Sequence, residues 1–348
     1  MSTTEYKISC SGIAPQIFPT NTVYGLLWYN ENEALEIPKQ YPYSGEWGEL
    51  TSNIVSINDY SPFPFKLSIL WMSIIENRFY KYEKELPLNK IKEQWNTENI
   101  NANESIYSHI IVGMAPLGGI SIWLYGLKKS VLTLWDKAEL YQITKETIKL
   151  PPIENCINVS KACLSNIDIN LRHTILQANM YDKYMQQFTY RYQPLFETWN
   201  DGEEVKWQKY KKGELQPEFE YIEESLFDGT FDKLHDDGLL KYHKAGKPKK
   251  LAINWHIKKS EYTAYFWFED EKICSIFERF YGAHPDTKTD FIIRIDAEQR
   301  KYELALFRQG LKEPQIIPED AYQLLVFKNK FEDYRSDNYN QERGAWIW

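Results

Sequence analysis

Nine carboxylates stand between positions 214 and 237: Glu214, Glu218, Glu220, Glu223, Glu224, Asp228, Asp232, Asp236 and Asp237. They face one base, Lys233. The stretch therefore carries a net −8, the formal charge of the whole 348-residue chain. An acidic face fixed to the body by an apolar stripe is a docking surface for a basic partner, because complementary fields steer encounter. Phe219, Ile222 and Leu226 offer such a stripe at helical spacing. The opposing reading is neutralisation within the chain. Lys206, Lys209, Lys211 and Lys212 precede the stretch, and Lys241, Lys244, Lys247, Lys249 and Lys250 follow it.

Other residue types with chemical potential do not assemble into a catalytic or cofactor-binding motif. His235 and His243 with Asp236 and Asp237 are the best metal candidates, but their spacing matches no standard ligand set, so no metal is expected. His109 and His256 sit in strand-like patterns. Cys10, Cys156, Cys163 and Cys274 form no Cys-x-x-Cys pair and read as small buried hydrophobes, although Cys156 and Cys163 could meet across a turn. Gly113-Met114-Ala115-Pro116-Leu117-Gly118-Gly119 lacks the Lys-Ser/Thr ending of a phosphate loop and joins two strands, so it reads as a hairpin turn. Glu76 could pair with Glu83 or Glu85, but nothing local fixes that geometry. The expectation is a non-enzymatic protein without a cofactor.

Composition bounds the partner class. Net negative charge argues against a nonspecific nucleic-acid binder. No apolar run is long enough for a membrane-spanning helix. Met1 to Cys10 has neither a basic nor an apolar signal region, so a cytoplasmic location is expected if Met1 is the native start. Aromatics make up 16% of residues, with 25 Tyr and 12 Trp, which favours a sheet-rich fold. A row of exposed rings on one sheet face would instead mark a carbohydrate- or peptide-binding module.

The elements that must position these residues occur twice. Pro64, Lys66, Leu67, Ile69 and Trp71 match Pro248, Lys250, Leu251, Ile253 and Trp255 at an offset of 184. The same offset relates Gly126-Leu127-Lys128 to Gly310-Leu311-Lys312, Ile111 to Ile295 and Asp136 to Asp320. Each half reads as strand, strand, helix, strand, strand. In the first half the strands are 67–71, 78–82, 108–114 and 120–125, and Pro87 opens a helix carrying Ile91 and Trp95. In the second they are 251–256, 262–268, 290–296 and 301–308. Asp270 is expected to cap a helix bearing Ile273, Ile276, Phe277 and Phe280. The expected fold is α+β: two pseudo-repeated antiparallel sheet units, each with a packed helix. Residues 1–150 form the first unit, which Pro151-Pro152 ends. Residues 151–186 form a linker with a helix from Arg172 to Gln187, and 187–348 form the second unit.

One series of residues resembles a bacterial family known as domain of unknown function 2931. It runs Leu67-Ser68-Ile69-Leu70-Trp71, Glu76-Asn77-Arg78-Phe79-Tyr80, Leu86-Pro87, then Ile111 to Leu124 through Val112-Gly113 and Ala115-Pro116-Leu117-Gly118-Gly119. The resemblance covers roughly residues 60 to 130, and Pro248 to Trp255 fits a later part of the family more loosely. It carries over no catalytic residue. Many members look like lipoproteins, whereas this chain has no lipobox, so a periplasmic form is not expected. Families of this sort often stand beside secreted toxins as immunity proteins. The resemblance thus implies a protein that binds and neutralises a cognate toxin or effector.

Overall fold

The computed structural model describes residues 7–15, 18–39, 46–56, 61–99, 107–164, 190–199, 218–235, 243–257, 260–296 and 302–330. The chain divides into two units: residues 1–186 with Asp228–Thr230, and residues 187–227 with 231–348.

The first unit holds two five-stranded sheets. One runs, in spatial order, β4 (Val55–Ser56), β1 (Ser9–Ile13), β7 (His109–Met114), β8 (Gly119–Tyr125) and β9 (Ser130–Lys137). The other runs β10 (Glu139–Tyr141), β6 (Arg78–Glu85), β5 (Lys66–Ser73), β2 (Thr20–Trp28) and β3 (Ala34–Glu36). Between β6 and β7 lies α1 (Leu88–Asn99), whose first turn uses the Pro87 carbonyl as acceptor for Ile91 N–H at 3.0 Å. One core draws on both sheets and on Ile91 and Trp95 of α1. Those two residues are four apart, so they share a helix face.

The second unit repeats this plan strand for strand. One sheet runs β14 (His243–Ala245), β11 (Tyr190–Trp199), β17 (Thr289–Asp296), β18 (Tyr302–Arg308) and β19 (Gln315–Ile317). The other runs β13 (Phe231–His235), β12 (Glu218–Leu226), β15 (Pro248–Ile257), β16 (Ser260–Phe268) and β20 (Tyr322–Lys330). α3 (Asp270–Tyr281) takes the place of α1 and buries Ile273, Ile276, Phe277 and Phe280. Its cap is Glu269, one residue before the expected Asp270, and the Glu269 side chain accepts from Lys272 N–H.

The α+β class and the duplication are therefore present. Each unit builds its mostly antiparallel strands into two five-stranded sheets, one of which contains a parallel pair, β1 with β7 in the first unit and β11 with β17 in the second. The reason is physical. The hairpins before and after each helix have one apolar face apiece. Setting them in two layers across a shared core buries both faces, and the helix becomes the crossover between layers.

Trp71 and Trp255 take equivalent central positions, each fully buried. Trp71 lies opposite Tyr80 with ring centroids 5.7 Å apart, and Trp255 lies opposite Tyr262 at 5.4 Å.

Pro151 and Pro152 do not close the first unit. They open α2 (Pro151–Leu164), where a missing N–H costs no helical hydrogen bond. α2 packs Ile153 and Cys156 on the outer face of the β2–β5–β6 layer, against Val23, Leu70, Met72 and Phe79. The helix expected at Arg172 to Gln187 lies outside the described residues. No helix among the described residues is long and apolar enough to cross a membrane.

All four cysteines are free, but Cys163 is only half-buried, which corrects the uniform expectation. Cys156 and Cys163 lie on one helix about 10 Å apart along its axis, too far to bridge. Burial pushes the Cys10 thiol up to about 12 and Cys156 up to about 11. Thiolate is the reactive form, so brief alkylation of native protein is expected to label Cys163 first and leave Cys10, Cys156 and Cys274 until unfolding. Mass spectrometry of the alkylated peptides checks this; early modification of Cys10 would contradict the packing described.

Candidate functional site

Within the Gly113–Gly119 stretch, Ala115 to Gly118 form the tight turn that joins β7 to β8, as the sequence predicts. Its role depends on Glu76, which sits in the β5–β6 turn and is buried. One Glu76 carboxylate oxygen accepts from the Tyr80 hydroxyl at 2.7 Å, and the other accepts from Leu117 N–H at 2.9 Å. Asn77 and Leu117 both take positive φ to bring the turns together. Gly118 has φ 75°, and a Cβ there would lie 2.9 Å from both the Ala138 carbonyl oxygen and the Tyr80 ring. Burial, then the Glu76 carboxylate, raises the Tyr80 pKa, so its hydroxyl stays a donor. This junction ties one sheet of the first unit to the other.

The pairing proposed for Glu76 with Glu83 or Glu85 does not occur. Glu83 and Glu85 lie opposite Ser68 and Lys66, at the far end of the hairpin, about 17 Å or more along β6 from the turn. Glu83 instead accepts from Lys66 and Lys81, which hold its carboxyl down at about 2. The matching connection of the second unit is shorter: Tyr80 stands nine positions after Trp71, but Tyr262 stands seven after Trp255, and the two residues between β15 and β16 are Lys258 and Lys259, not an acid.

The acidic segment is not helical where it is described. Phe219, Ile222 and Leu226 belong to the strand β12, held between β13 and β15. Two flanking ladders outweigh the helical spacing, and aromatic and β-branched residues suit a strand. Period two then separates the carboxylates. Glu223 stands on the outer face and pairs with Lys233 at 3.2 Å. Glu224 points inward, is 2% exposed, and accepts from the Tyr192 hydroxyl. It therefore forms no part of a docking face. Asp228 turns its carboxylate onto Thr230, accepting from the backbone N–H at 2.9 Å and the hydroxyl at 2.7 Å. Its carbonyl accepts from the Trp123 indole N–H. Asp232 is half-buried in β13, and Glu218 and Glu220 lie in β12, where only their backbone is described. Glu214, Asp236 and Asp237 lie outside the described residues. His235 and His243 fall in different sheets, in β13 and β14. Among the described residues, no three His, Cys, Asp or Glu gather as metal ligands.

A more promising surface lies on the outer face of the same sheet. Ala264, Phe266 and Phe268 of β16 enter the core, so Tyr265 and Trp267 point the other way. Their rings stack at 5.5 Å with an interplanar angle of 24°, and Phe327 of β20 meets Tyr265 edge-on at 5.8 Å. Lys250 lies over both Tyr265 and Trp267, at 5.4 and 5.9 Å from the ring centroids. Tyr221 adds a ring under Lys233 at 3.6 Å. All these rings are half-exposed. When Tyr80 is aligned with Tyr262, the positions of Tyr265 and Trp267 correspond to Glu83 and Glu85 of the first unit, both exposed. One copy of the repeat carries charge there, and the other carries an aromatic patch. The sequence reading missed it because strand register decides which aromatics share a face.

A family model described as "Protein of unknown function (DUF2931)" matches residues 3–219. No curated protein and no solved structure matches the chain.

Proposed function

The chain belongs to the DUF2931 family of proteins of unknown function, and on that premise we propose that it is a non-enzymatic binding protein of the immunity type, which engages and neutralises a toxin or effector. The observation that supports this reading is the half-exposed patch of Tyr221, Tyr265, Trp267 and Phe327 with Lys250. Tyr and Trp dominate binding energy at protein interfaces because they bury large areas while losing little side-chain entropy. Glu223 and Lys233 border the patch and supply a polar rim.

Trp267→Ala and Tyr265→Ala test the reading against the product of a neighbouring toxin gene. Each is expected to weaken capture about 30-fold or more, as loss of a hot-spot ring does, and to abolish growth rescue while the thermal melt changes little. Undiminished affinity and rescue in both variants would remove the patch from the binding surface. The flat Tyr265–Trp267 stack favours one alternative ligand, a carbohydrate whose ring lies on the aromatic plane. In that case the same variants lose glycan binding, and the toxin is not captured.

A further inference from the structure

β20 is a nine-residue strand at the edge of its sheet. It pairs with β16 without a register shift from Ser260 to Phe268, so every second residue turns its backbone N–H and C=O outward with no neighbouring strand among the described residues. Such an edge is a template for strand addition, and proteins blunt it with proline, bulges, shortness or a cover. The other edges here follow that rule. β3, β4, β10, β14 and β19 have two or three residues, and β13 has five. β9 has eight, but its pairing with β8 is bulged and α1 reaches across it: Lys90 donates to the Thr133 carbonyl at 2.6 Å, and Thr133 donates to Gln94 at 3.1 Å. Among the described residues β20 has none of these protections, and the lysines that also blunt an edge stand only at its C-terminal end, at Lys328 and Lys330. Its sequence, Tyr-Gln-Leu-Leu-Val-Phe-Lys-Asn-Lys, contains no proline or glycine.

We propose that the β20 edge is an interface for a second copy of this chain, pairing antiparallel with β20 of the partner copy. The strand is self-complementary in that sense and no other. A two-fold axis at Val326 sets Leu325 opposite Phe327 of the partner copy, twice over, on the half-exposed outer face. It also sets Lys328 opposite Leu324 and Lys330 opposite Tyr322. A parallel pairing would instead bring each lysine against its own copy. The two five-stranded sheets would join as one of ten strands, with both aromatic patches on the same continuous surface. This inference does not rest on the toxin reading: it follows from the open backbone edge, and although Phe327 belongs to both surfaces, Tyr265→Ala and Trp267→Ala test the face while Leu325→Lys tests the edge.

Sedimentation of the full chain over a range of concentrations tests it, read beside hydrogen exchange of residues 322–330. The expected result is a monomer–dimer equilibrium in which the outward amides of β20 gain protection as the dimer forms. Leu325→Lys should weaken the dimer at least about tenfold, and adding Phe327→Glu to it should restore association, because Lys then faces Glu in both symmetry-related pairs. If Leu325→Lys unfolds the protein, the concentration dependence of exchange in the unaltered chain still decides. A chain that stays monomeric with unprotected β20 amides overturns the proposal. So does a dimer indifferent to both substitutions.

Discussion

Trp71→Ala and Trp255→Ala are each expected to destabilise the unit that holds them by roughly 3–5 kcal/mol. Both indoles are fully buried at the centre of the β2–β5–β6 and β12–β15–β16 layers, each against a tyrosine of the next strand. Truncation leaves a cavity that neighbouring strands cannot close without breaking ladder hydrogen bonds, so the cost exceeds the lost transfer energy. Trp71→Phe separates the contributions. The Trp71 indole N–H is buried with no acceptor among the described residues, so a phenyl ring keeps most of the packing and removes an unmet donor. It is expected to cost far less than alanine. Denaturant melts with hydrogen exchange in each unit give the measurement. A loss below about 1 kcal/mol for either alanine variant would mean that the core does not depend on these rings.

Glu76→Ala is expected to cost about 3 kcal/mol, because it strands two donors, the Tyr80 hydroxyl and Leu117 N–H, each worth about 1–3 kcal/mol when buried and unmet. Glu76→Gln is expected to rescue it in part. Its amide oxygen can accept from Leu117 N–H while its NH2 donates to the Tyr80 hydroxyl, which can turn to accept, so what is lost is the extra strength of bonds to a charged acceptor. Tyr80→Phe removes one donor and should also cost less than Glu76→Ala. If Glu76→Ala matches the native stability, Glu76 is not the joint between the two turns. The loss should be confined to the first unit, since the two residues between β15 and β16 are Lys258 and Lys259 and supply no carboxylate.

The sequence by itself determined the local elements and their duplication. Alternation at Leu67, Ile69 and Trp71 and at Leu251, Ile253 and Trp255, the Ile91–Trp95 helix face and the glycine-rich turn depend on neighbours within a few residues, and the structure has each of them. The tertiary structure alone decided what depends on pairing between distant strands. Strand partners placed Ile222 and Leu226 in β12 and not in a helix. They also turned Glu223 outward and Glu224 inward, which split the acidic segment that a one-dimensional charge count had joined. The same register gathered Tyr221, Tyr265, Trp267 and Phe327, from three different strands, onto one face and left β20 at an open edge. A one-residue change of register moves every side chain of a strand to the opposite face, and register is set by long-range ladders that local spacing does not encode.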